Sequence, residues 1–304
     1  MPVPKKPRAK TTVKAPRRSA AAAVPALLPD RRAMEGFLAA IGGRGDDPTT
    51  KAQDVMYEAW ERTTSRSRIA LAFKALTISP LCADAYVLLA EEAARSAEEA
   101  RDFYVRGLEA GELALGPEGF AEYDGHFWGF LETRPYMRAR VGLALTLLKL
   151  GDEDSAMSHF RDMLRLNPND NQGIRYLLAG CLLRRGEDAA LKELLASYED
   201  EGSAFWLYTE ALLAFREGGE DDKRAVKLAR DAWRANEHVP GILAGTKPPV
   251  PSTEGYVTMG GPDEATDYVT ECGAAWHRTL GAVAWLTKAV AALPPKRRTR
   301  PTAH

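Results

Sequence analysis

Residues 137–170 read MRARVGLALTLLKLGDEDSAMSHFRDMLRLNPND, and the spacing inside this stretch decides the fold. Leu143 and Ala144 fall in a first amphipathic helix, Gly151 marks a turn, and Ala156 and Phe160 fall in a second helix. Pro168 ends the unit, because proline cannot continue the helical hydrogen-bond ladder. Small residues at these positions let two antiparallel helices approach closely, as in a tetratricopeptide unit of roughly 34 residues.

Working outward, Ala190 follows Ala156 by 34 residues and Ala225 follows Ala190 by 35. Units at about 171–204 and 205–239 are therefore in phase with the first. Upstream, FKALTISP repeats the ending of LRLNPND: Ala75 precedes Pro80 by five residues, as Met163 precedes Pro168. Units at 53–82 and 83–116 read as looser copies. One hairpin cannot bury its own apolar face, so neighbours must stack. The expected fold is all-α, a tetratricopeptide-like α-solenoid of antiparallel helical hairpins over residues 51–292, with at least four hairpins within 51–240 and no sheet.

Three segments interrupt this rhythm. Residues 33–50 read as a linker or short helix, 117–136 as an irregular insertion, and the Gly- and Pro-rich run 241–262 as a loop. Residues 263–292 supply a final helix pair, whose Trp276 and Trp285 are expected to cap the stack.

Charge is distributed unevenly. Residues 1–32 carry a net +8 and residues 293–304 a further +4, against −13 for the body between them. The Pro/Ala/Lys/Arg composition of 1–32 predicts a disordered basic tail, and 293–304 a second one. Such a tail is suited to neutralising phosphates, so nucleic acid is a possible partner through residues 1–32; a plainly solvated tail is the alternative. No run of 18 uncharged apolar residues exists, so no membrane partner is expected. Cys82, Cys181 and Cys272 are far apart and odd in number, which favours a reducing, cytoplasmic setting.

No Walker loop, GxSxG, dinucleotide glycine pattern, HExxH or Cys/His cluster occurs. No catalytic residue, cofactor or metal is expected, and an orphan enzyme using His126 with Asp124 or Glu132 stays as a lesser alternative. In the segment DGHFWGFLETRPYMRAR (124–140), His126, Phe127 and Trp128 read as a structural junction that mends a break in the stack. Its charged half, Glu132, Arg134, Tyr136 and Arg138, reads as groove lining.

GHFWGFLETRPYMRAR, together with LNPNDNQGIRYLLAGCLL about thirty residues on, resembles the suppression-of-tumorigenicity group of helical-repeat proteins and its bacterial relatives, over about Lys51 to Leu286. The resemblance implies a tetratricopeptide-like fold and no established enzymatic activity. Its animal members look membrane-anchored, a localisation not carried over here.

In tetratricopeptide arrays a fixed set of positions on each first helix faces the concave groove. In this register those are Arg138, Val141, Leu145 and Leu148, then Gln172, Arg175, Ala179 and Leu182, then Leu207, Glu210, Ala214 and Glu217. The expected function is a non-catalytic scaffold that holds a peptide or partner protein in this groove, with Gln172, Arg175 and Glu210 among the contacts. Arg138 and Arg175 are expected to reach one anionic group on that partner, since a guanidinium binds carboxylate or phosphate bidentately. Pairing within the stack, to Glu132 or Glu210, is the open alternative. Asn169, Asp170 and Asn171 read as N-cap residues for the helix that follows.

Overall fold

A computed structural model describes residues 32–42, 45–252 and 257–293. The basic tails, apart from Arg32 and Leu293, lie outside the described residues, and so do residues 253–256 of the expected loop.

The described residues form helices and no strand. In chain order these are α1 (Arg32–Gly42), α2 (Pro48–Trp60), α3 (Ser65–Ile78), α4 (Ala83–Glu92), α5 (Ala97–Glu122), α6 (Arg134–Leu150), α7 (Glu153–Leu166), α8 (Ile174–Arg185), α9 (Asp188–Ala196), α10 (Ala204–Gly218), α11 (Lys223–Ala235), α12 (Val239–Leu243), α13 (Pro262–Arg278) and α14 (Ala282–Val290). Five hairpins, α2/α3, α4/α5, α6/α7, α8/α9 and α10/α11, pack in succession as an α-solenoid.

The sequence dictates most of the boundaries. Asp47 opens α2, its carboxylate accepting the amides of Thr49 and Thr50 at 2.9 and 3.0 Å just ahead of Pro48. Thr64, Ser96, Asp152, Ser203 and Asp222 cap α3, α5, α7, α10 and α11 in the same way. The turn expected at Gly151 is present, with φ 85°. Ala156 and Ala225 are fully buried where helices cross. Ala190 is only half-buried, because α9 is a nine-residue helix and covers less of its neighbours.

Three expectations need correction. The irregular insertion is narrower than 117–136: α5 runs on to Glu122, bending at Gly116 (φ 59°) where Pro117 removes an amide. Only residues 123–133 break the stack, with one 3-10 turn at Phe127–Gly129. The 241–262 segment begins inside a short helix, α12. The final pair does not simply cap the end. α14 rests on α11, while α13 folds back against α8 and α10, the first helices of two earlier units. Trp276 is accordingly an interior residue, its indole N–H donating to the Tyr268 hydroxyl at 2.7 Å. Trp285 stacks on Phe215 at 4.6 Å.

Two separate apolar cores result. The smaller joins α2, α3 and α4 through Ala52, Met56, Ala72, Leu88 and Leu89. The larger runs from Phe127 to Val290 and binds α6 to α14 together. Between them, at the seam of α4 and α6, a buried ion-pair network sits beside close packing of Tyr86, Gly107 and Ala139.

Candidate functional site

Every groove residue named from the sequence lies among the described residues. Arg138, in α6, is 7% exposed. Its Nε and Nη2 donate to Asp84 of α4 at 2.8 and 2.5 Å, and its Nη1 donates to both carboxylate oxygens of Glu35 at 3.1 and 2.9 Å. Arg134 donates to Glu35 at 3.0 Å and to the Trp128 carbonyl at 3.0 Å. Gln53 of α2 completes the network by donating to Asp84 at 2.7 Å. Burial opposes charge on Arg138, but Asp84 and Glu35 outweigh it and hold the guanidinium more firmly protonated than usual. The same desolvation, with Asp84 and Glu35 nearby, pushes the Tyr57 phenol up to about 12.

Arg175 forms a second cluster. It donates to Asp170 at 2.9 Å and to Glu201 at 3.1 and 2.5 Å, and its guanidinium lies over the rings of Tyr176 and Tyr198 at 4.4 and 5.3 Å. Tyr176 donates its hydroxyl to Glu201 at 2.7 Å. Asp170 also caps α8 by accepting the amides of Ile174 and Arg175 at 2.7 and 2.9 Å, so the expected cap is made by the middle residue of Asn169-Asp170-Asn171. The two arginine clusters share no residue, and the expected common anion between Arg138 and Arg175 is replaced by separate internal partners for each. Those partners are Glu35, Asp84, Asp170 and Glu201, neither Glu132 nor Glu210. The distance along the chain hid the first two: Glu35 lies 103 residues from Arg138 and Asp84 lies 54. The one signal was chemical, a carboxylate inside each of the apolar runs RAMEGFLAA and LCADAYVLLA.

The remaining groove candidates divide. Tyr136 is not groove lining; it is buried among Phe120 and Phe127 at 5.2 and 5.9 Å, its hydroxyl accepting from Arg140 at 2.6 Å. Glu132 is exposed. Gln172 is buried. Glu210 is half-buried, and burial, against a weaker opposing pull from Arg224, raises its carboxyl above the ordinary range.

The aromatic junction is built largely around one residue. Phe127 is fully buried, 5.1 Å from Phe120, and its carbonyl accepts the Thr133 hydroxyl. Trp128 is half-buried, its ring 5.4 Å from the Arg134 guanidinium. His126 is exposed and contributes backbone bonds: its amide donates to Tyr123 at 2.9 Å and its carbonyl accepts from Gly129 at 2.7 Å. Asp124 pairs with Arg165 at 3.1 Å. Among the described residues no group of three His, Cys, Asp or Glu side chains is arranged to share a metal ion, and no helix is long and apolar enough to cross a membrane.

Two further helices pack against the first helices of the hairpins. At one end α1 lies over α2, with Glu35 reaching α6 and Arg32 reaching Glu91 of α4 at 2.9 and 3.0 Å. At the other end α13 lies against α8 and α10. Glu264 there is buried and accepts from the Ala204 amide, the Asn236 side chain and the Gly260 amide at 2.8, 3.0 and 2.6 Å. Further along α13, Glu271 pairs with Arg184.

Comparison with known proteins agrees with the resemblance read from the two strings. The family described as ST7 protein matches residues 43–289. A chicken (Gallus gallus) suppressor of tumorigenicity 7 protein-like is 28% identical over 264 residues, covering 78% of this chain and 46% of its own length. A Drosophila pseudoobscura protein ST7 homolog is 28% identical over 261 residues, covering 78% of this chain and 48% of its own. A rat suppressor of tumorigenicity 7 protein-like is 29% identical over 252 residues, covering 75% and 44%. The chain therefore spans about half the length of the curated relatives it matches.

Proposed function

The chain belongs to the ST7 protein family, and from that premise we propose that it is a non-catalytic interaction scaffold whose concave groove holds a helical segment of a partner protein. One observation carries this reading: the groove receives helices. Two segments of the same chain, α1 and α13, already pack against first helices, and the described contacts of α1 include buried charged anchors. A groove that accepts α1 through side-chain chemistry at its surface is suited to the helix-in-groove mode of recognition. The three buried free cysteines support a reducing, cytoplasmic setting for it.

The test is affinity capture from the native host with the tagged full chain, beside full-chain Arg134→Glu and Glu210→Arg variants. Proteins held by the wild type and lost with either charge reversal support a groove scaffold. Capture that neither substitution alters, or no capture at all, refutes it. A second reading rests on the +8 of residues 1–32, which suits association with nucleic acid. It requires binding to a nucleic-acid duplex that falls steeply with salt and is lost on deleting residues 1–31.

A further inference from the structure

We propose that the groove between α2, α4 and α6 recognises a partner helix carrying a cation, a carboxylate one turn later and a small residue immediately after it, and that α1 holds this site as an internal competitor. The inference rests on the scaffold reading and names the partner's chemistry.

The pattern is the one α1 presents. Arg32 forks onto Glu91 and lies over the Trp60 ring at 5.2 Å. Three residues on, Glu35 is buried between Arg134 and Arg138. Next to it, Gly36 meets Tyr57 so closely that a Cβ would lie 3.1 Å from the ring, tighter than ordinary contact allows without movement. Spacings of three and four residues put all three on one helix face, so they read the groove together.

The contacts that hold α1 among its described side chains are largely polar. None of those side chains belongs to either apolar core. Its large apolar side chains Met34, Phe37 and Leu38 face away from the groove, 54%, 65% and 46% exposed. An 11-residue helix is marginal in water by itself, and a segment with few buried apolar contacts opens at low free energy. The family match begins at residue 43, immediately after α1, so the groove belongs to the matched part of the chain and α1 does not.

Lifting α1 leaves a site with defined demands. Arg134 and Arg138 remain; Asp84 stays bound to Arg138, while Arg134 loses its carboxylate and calls for an acid. Glu91 loses Arg32 and calls for a cation. The Tyr57 surface admits only a small residue beside the acid. A partner helix with these three features replaces α1 contact for contact, and its apparent affinity is reduced by the fraction of time α1 occupies the groove.

The experiment uses the full chain and a labelled peptide of residues 30–44, DRRAMEGFLAAIGGR, followed by fluorescence anisotropy. The full-chain double variant Arg32→Ala/Glu35→Ala is expected to bind the peptide at least about tenfold more tightly than wild type, since its own α1 no longer competes. Peptides carrying Glu35→Gln or Gly36→Leu are expected to lose that binding. A full-chain Gly36→Leu variant, which frees α1 by collision with Tyr57 and alters no ion-pairing side chain, is expected to bind the unaltered peptide as the double variant does, with helical circular dichroism lowered by no more than the 11 residues of α1. Equal peptide binding by wild type and both freed chains, or equal binding of all three peptides, overturns the proposal. Host partners lost with Arg134→Glu or Glu210→Arg but unaffected by freeing α1 leave the scaffold reading standing while this inference falls.

Discussion

The chain contains two arginine-centred clusters at comparable positions of neighbouring repeats, and they hold the array in different ways. At the α4/α6 seam, Arg138 joins residues that lie 54 and 103 positions away along the chain, and neither of the two apolar clusters spans the junction. Among the described residues, Glu35 accepts there from two guanidiniums. At the α8/α10 seam, Arg175 joins the near-neighbours Asp170 and Glu201, and the larger core continues beneath it through Phe205, Trp206 and Tyr208. Its carboxylates also have backbone donors: Asp170 takes the amides of Ile174 and Arg175, and Glu201 takes that of Ser203. The same residue type thus ties distant segments together at one seam and near neighbours at the other.

The largest expected effect breaks the first seam. Arg138→Ala leaves buried Asp84 with Gln53 alone and buried Glu35 with Arg134 alone, and should cost about 3–5 kcal/mol by urea denaturation, a large part of an ordinary domain's margin. Replacing the whole set, Arg138→Met with Asp84→Leu and Glu35→Met, should recover most of that loss, because a buried ion group is often matched by apolar side chains of similar volume. A triple variant no more stable than Arg138→Ala would show that geometry, not charge, makes the seam. Next comes Phe127→Ala, expected to cost about 3 kcal/mol because the ring is fully buried among Phe120 and Tyr136, with Trp128→Ala costing less for a half-buried ring. Equal losses would mean that the junction depends on both rings alike.

Arg175→Ala is expected to cost less than Arg138→Ala, about 1–3 kcal/mol, since Asp170 and Glu201 keep their backbone donors and Glu201 keeps the Tyr176 hydroxyl. Matching midpoints for the two arginine variants would erase the distinction between the seams.

Much of this architecture was legible in the sequence, and the groove was not, for reasons that particular residues make plain. Repeat phase, turn and caps are local: Ala156 to Ala225, Gly151, and Asp170 each act within a turn or two of the chain. Tyr136 was misread because it stands among the charged residues of its segment, whereas the structure packs its ring against Phe120 and Phe127. Arg138 and Arg175 were correctly seen as residues that need anions. Their anions came from Glu35 and Asp84 in one case and Asp170 and Glu201 in the other, and only the fold brings the first pair within reach. The return of α13 into the groove leaves no mark in its own sequence, because an amphipathic helix reads alike as a cap or an insert.

The smallest effect sharpens the comparison inside the second cluster, where two carboxylates on one guanidinium shift in opposite directions. For Asp170, burial dominates and raises its carboxyl above the ordinary 3.8, in spite of the Arg175 and amide bonds. For Glu201, burial is outweighed by the Tyr176 hydroxyl, Arg175 and the Ser203 amide, and the carboxyl falls below the ordinary 4.5. Linkage gives each a sign. Glu201 is stabilising above its unfolded value, and that contribution is lost as pH falls below 4.5 through the lower folded value. Asp170 runs the other way: its contribution is complete below 3.8 and is lost as pH rises through the higher folded value. In the wild type the two slopes oppose each other around pH 4. Glu201→Gln should therefore flatten the acid-side loss. Asp170→Asn, which keeps an acceptor for an α8 amide and tolerates the φ of 45° at that position, should remove the decline above 3.8. Urea midpoints measured from pH 3 to 6 read both slopes. If the two variants shifted the profile in the same direction, the carboxylates would be titrating as one group with Arg175, and the second cluster would resemble the first more than its backbone donors suggest.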